Sequence, residues 1–175
     1  MQQKNLSRQI MKSALIFVAA VIVIVLIASG FGAIGIPLWP FIFFLFFYTS
    51  VDNFNPQKLK GTALGGMIGI FVGMSQGIVS QLSGNTTVGF AAFALFALIL
   101  GTAFIMGNVA WANVFGLLLM TLLTLFPLNP CVWAALPART TLGWTECFLR
   151  VMASYLIAVV LFVLVSAIMR KKNQK

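Results

Sequence analysis

The chain has 175 residues, of which 61% are hydrophobic and 7% charged, with a formal net charge of +9 and a mean hydropathy of +1.07. A soluble domain is roughly 25% charged, so no water-soluble core of this length can hide so much apolar surface, and one membrane domain, 1–175, is expected. The charge does not point to nucleic acid either, because nine of the eleven cations flank apolar segments: Lys4, Arg8 and Lys12; Lys58 and Lys60; Arg170, Lys171, Lys172 and Lys175.

A spanning helix needs about 20 apolar residues. The first is predicted at 13–30. Basic residues before it and Ala28-Ser29-Gly30 after it imitate a signal peptide, but the apolar run is long for that and further spans follow. It reads as an uncleaved helix that directs insertion. The second span is predicted at 31–51, with Pro37 and Pro40 kinking its outer end. Its aromatics, from Trp39 through Phe41, Phe43, Phe44, Phe46, Phe47 and Tyr48, fall on all faces. That implies lipid contact and rings packed into glycine grooves. A polar loop follows, from Asp52 to Lys60, turned at Asn55-Pro56.

The third span, 61–82, carries Gly61, Gly65, Gly69, Gly73 and Gly77 at four-residue spacing. In water each glycine costs a helix ~1 kcal/mol relative to alanine. In a bilayer the backbone must bond to itself, so the helix forms regardless. This glycine-zipper pattern becomes a groove into which another backbone presses. It serves as a packing seam, within the chain, between copies or toward another membrane protein, or as a sliding surface. In the outer half of this span, Gln76 and Ser80 share one face.

After the turn Ser83-Gly84-Asn85, a fourth span is predicted at 88–107 and a fifth at 109–126, with Asn108 and Asn113 beside Trp111 at the break. Gln76, Ser80, Asn108 and Asn113 are candidates for a polar solute path. The competing reading is hydrogen bonding between helices, worth ~0.6–2 kcal/mol each. The repeat of Gly61-Thr62-Ala63 at Gly101-Thr102-Ala103 falls at non-equivalent places in its two helices and reads as chance.

From Pro127 to Thr145 the prolines indicate a loop or re-entrant piece. The sixth span is predicted at 146–169. At its start, Glu146 and Arg150 have the acid-first spacing of an ion pair; with Arg139, Arg150 is also a candidate anion-attracting vestibule. Six spans with both termini cytoplasmic place all nine flanking cations inside. Trp39, Trp133 and Trp144 then suit an outer aromatic belt and Trp111 an inner one. Cys131 and Cys147 fall near the outer face, either bonded or as two free thiols.

Catalysis is poorly provided for. With no His and with Asp52 and Glu146 as the two acids, neither a metal site nor a general acid–base pair is expected. No cofactor is implied.

The aromatic span with Trp39, the Lys58-x-Lys60-Gly61 junction, the glycine-rich span and the Gly107-Asn108-x-Ala-Trp111 segment together resemble the YcdZ-like family of small bacterial inner-membrane proteins, over about four fifths of the chain. That resemblance implies a bacterial inner membrane and adds no substrate. Lys60-Gly61-Thr62 is also similar to the junction that opens a glycine-rich helix in the membrane halves of fusaric-acid-resistance-type exporters, whose large soluble domain is absent here. The expectation is an all-α polytopic membrane bundle whose partners are the lipid bilayer and a small solute, passed by a transporter or channel-like facilitator. The alternative is an accessory or assembly subunit that packs through the glycine face of its third helix.

Overall fold

The computed structural model describes residues 2–107, 112–125 and 143–173. Every regular element among them is an α-helix: α1 (Gln2–Ala33), α2 (Trp39–Ser50), α3 (Leu59–Ser83), α4 (Thr86–Ile105), α5 (Val114–Leu125) and α6 (Trp144–Asn173). Among the described residues, three stretches are long and apolar enough to cross a membrane: Leu59–Ser83, Thr86–Ile105 and Trp144–Ala167. The chain divides into two compact units, Met1–Ile34 and Gly35–Lys175. The first is the single helix α1. The second holds α2 to α6.

The helix boundaries follow local chemistry. The first helix continues to Ala33 rather than ending at 30. It stops where Gly35 takes φ +65° and Pro37 follows. The second begins at Trp39 rather than 31, because Pro40 lies in its first turn, where a missing N–H leaves nothing unsatisfied. The expected kink is thus a helix start. α2 has 12 residues, about 18 Å at 1.5 Å per residue. α3 ends at Gly84, which is left-handed at φ +67°, a conformation that costs glycine little. Asn85 then caps α4 by accepting from the Thr87 N–H at 2.9 Å. Similarly, α5 begins at Val114 rather than 109, because Asn113 Oδ1 accepts from the N–H groups of Phe115 (3.0 Å) and Gly116 (3.2 Å).

Within the second unit α3 is the central helix, in contact with α2, α4, α5 and α6, and most extensively with α5. The α3–α5 contact runs backbone to backbone. A Cβ on Gly69 would lie 2.5 Å from the Leu117 carbonyl and 3.0 Å from the Thr121 nitrogen; one on Gly73 would lie 2.8 Å from the Thr121 carbonyl. Gly65 faces the Asn113 backbone in the same way. Rings from α6 fill two of the α3 glycine notches: the Tyr155 phenol occupies the space beside Gly66, and the Trp144 indole that beside Gly77. The aromatics of α2 instead pack ring on ring. Phe44 meets Tyr155 edge-on at 5.2 Å between centroids, and Tyr48 meets Phe162 at 5.3 Å. Trp39, assigned above to an interfacial belt, is buried, with Phe43 at 6.2 Å. α4 packs on α3 closely at Gly89 and again where Phe96 meets Phe71 at 5.4 Å between ring centroids, with Ala92, Phe93 and Leu100 half-buried along the same side, while its other side is exposed.

Candidate functional site

The short turn between α2 and α3 delivers a carboxylate into the protein. Asn53 and Phe54 both take positive φ, which reverses the chain directly after Asp52. Asp52 is 2% exposed, and a buried carboxylate demands donors. Thr62, in the first turn of α3, donates its hydroxyl to Asp52 Oδ2. Asn113, at the head of α5, donates through Nδ2 to both carboxylate oxygens at 3.3 and 3.4 Å. The Lys58 ammonium lies 3.9 Å away, on a side chain that is 55% exposed.

Two further bonds fix this cluster to the bundle. The Asn113 N–H donates to the Gly61 carbonyl at 2.7 Å. From α6 the Tyr155 hydroxyl donates to the Thr62 carbonyl at 3.0 Å. It reaches that carbonyl because residue 66 has no side chain to block the phenol. One acid thus gathers the C-terminal end of α2, the N-terminal ends of α3 and α5, and the middle of α6.

Above the acid lies an open cavity of about 540 Å³, walled by Val51, Asp52, Lys58, Lys60, Asn113 and Phe115 among others. Its mouth is apolar as well as basic: Val51 is 47% and Phe115 71% exposed. With Asp52 bonded to Thr62 and Asn113, Lys58 can leave its ion pair to engage a guest without stranding the acid. The arrangement can hold a small anion against apolar walls. Among the described residues no group of three or more His, Cys, Asp or Glu gathers to bind a metal.

The other sequence candidates are placed elsewhere. Gln76 is 6% exposed and Ser80 half-buried, and Gly89 of α4 closes on the Ser80 side chain and the Gln76 backbone carbonyl. Along α3 Gln76 and Ser80 sit about 22 and about 28 Å from Gly61, and they form no part of the basic cavity that Asn113 lines. The structure therefore separates residues that polarity alone had grouped. Gly61 supplies the carbonyl for Asn113, whereas Gly65, Gly69 and Gly73 face α5 and Gly77 faces Trp144. Arg150 Nη2 lies 2.7 Å from Glu146 Oε1, and its Nη1 donates to the Gly35 carbonyl at 2.7 Å. Cys147 is buried in α6. Asn108, Trp111, Cys131, Trp133 and Arg139 lie outside the described residues.

Asp52, Thr62 and Tyr155 were missed as site residues. A signal existed for Asp52: in a chain this apolar, an acid at the end of a span is a functional candidate by default. No family model, curated protein or solved structure matches the chain.

Proposed function

We propose that this chain is a multi-pass inner-membrane protein that binds a small solute and passes it along helix interfaces, as a transporter or channel-like facilitator. The observation that carries the reading is the basic cavity over Asp52, built from Lys58, Lys60 and Asn113. Charged and polar groups in a bilayer protein are costly, and where they gather they mark the path of a solute or ion. The short second helix adds support. At about 18 Å, α2 reaches only part of a ~30 Å hydrocarbon core. Helix ends inside a membrane are where transporters build their binding sites. In this reading the chain crosses six times with both termini cytoplasmic, and the cavity opens inward.

One observation favours a second reading, an accessory or assembly subunit: the face of α4 turned away from α3, with Phe90, Leu95, Leu98 and Ile99, is apolar and exposed. A partner helix would then sit on α4, because the glycine column faces α5 and α6.

A thermal-shift screen in lipid nanodiscs, against small metabolites and inorganic anions, decides between the two. A ligand at 100 times its dissociation constant stabilises by ~2.7 kcal/mol. A shift that disappears in the Lys58→Gln/Lys60→Gln variant is expected. Silence across the panel, or a shift the double variant retains, overturns the solute reading.

A further inference from the structure

The cavity's charge count narrows its guest. Two cations, Lys58 and Lys60, and one buried acid, Asp52, line the same wall, giving a net charge of +1. A singly charged anion neutralises that site, whereas a dianion leaves an unpaired negative charge beside the Asp52 carboxylate. The walls carry the second constraint. Val51, Ala112 and Phe115 line the cavity with the lysines, and the exposed Val51 and Phe115 lie at its mouth. A bare inorganic ion would leave this apolar surface uncovered. A phosphate carrying organic substituents would cover it.

We propose that the Lys58–Lys60 cavity binds a singly charged phosphate diester, with the phosphate between the two lysines and its organic arms against Phe115 and Val51. An anionic phospholipid headgroup and a soluble diester present this same chemistry. Lys58 moves from Asp52 toward the phosphate. Thr62 and Asn113 keep the acid hydrogen-bonded when it does. The proposal rests on reading the cavity as a ligand site.

The test is native mass spectrometry of the intact chain in detergent, titrated separately with four probes: phosphatidylglycerol, phosphatidylcholine, glycerophosphoglycerol and inorganic phosphate. One phosphatidylglycerol per chain is expected at concentrations where phosphatidylcholine, which has no net charge, does not bind. Lys58→Gln and Lys60→Gln should each weaken binding about fivefold, the effect of one cation at a membrane surface. Asp52→Asn raises the site to +2 and should improve inorganic phosphate relative to the diesters. If that variant does not fold, the two lysine variants still test the charge count.

Binding of glycerophosphoglycerol as tight as that of the lipid supports the diester and identifies the soluble form as sufficient. Binding of the lipid alone supports the diester and identifies the membrane as its source. Equal binding of phosphatidylcholine and phosphatidylglycerol overturns the proposal, as does a wild-type preference for inorganic phosphate. If all four probes fail while another solute shifts the melting temperature in a Lys58-dependent way, the diester is wrong and the solute reading stands. If that screen is silent too, both fall.

Discussion

At Asn113 the two ends of one amide face different partners. Its oxygen caps α5, and its nitrogen donates to the buried carboxylate of Asp52. Substitution separates the roles. Asn113→Ala removes both, at about 1 kcal/mol for the cap and about 1.5–3 kcal/mol for a hydrogen bond to a charged group. Asn113→Asp keeps an equally good cap but sets a second carboxylate against the first. Thermal unfolding in detergent should therefore show both variants clearly less stable than the parent. An Asn113→Asp protein that melts with the parent would mean that Asn113 only caps. Asn113 stood out in the sequence as a polar residue at a helix break, which the structure explains by the cap. Its second role was illegible, because Asp52 is 61 positions away and nothing near either residue names the other. Gln76 shows the converse. It has the same polarity in an equally apolar setting, yet it is buried where α4 closes on its backbone and lines no part of the cavity, and polarity without a known neighbour does not tell these cases apart.

The elements were more legible than their partners. Four-residue glycine spacing makes α3 a close-contact helix, since that spacing keeps the glycines along one side. It does not say what presses there, and α5 and α6 divide the stripe between them. The length of the second helix was misjudged for a local reason: the apolar run continues through 31–38, so hydropathy carries straight across a Gly-Pro break that the backbone does not. Glycine substitutions test the packing directly. Gly69→Ala sets a Cβ 2.5 Å from the Leu117 carbonyl and forces two backbones apart, at about 1–3 kcal/mol; Gly69→Leu should prevent folding. Gly101 in α4 has nothing within 4 Å of the same atom. Gly101→Ala should be neutral or stabilising by up to about 1 kcal/mol. Melting temperatures of the two alanine variants, measured side by side, check the contrast. Equal values would show that α3 and α5 separate at no cost and that the contact does not hold the bundle.

For the whole molecule, the question that composition poses and the helices sharpen is which end of α3 faces the cytoplasm. No charged residue occurs from Gly61 to Ala138. Lys58 and Lys60 at the start of α3 therefore stand alone as its orienting charges, and cations are retained on the cytoplasmic side. At 25 residues, or about 37 Å, α3 exceeds the ~30 Å hydrocarbon core. Its two ends should then lie on opposite sides of the membrane. Gln57, before α3, and Thr86, after it, are both exposed and suit single-cysteine labelling in a background carrying Cys131→Ser and Cys147→Ser. With a membrane-impermeant maleimide, Thr86→Cys should react in intact cells and Gln57→Cys only after permeabilisation. The reverse pattern would invert the protein and open the basic cavity outward. Labelling of both sites from one side would mean that α3 does not cross. The lysines would then cease to be orienting charges, and a solute site at the cytoplasmic end of a spanning helix would have no basis.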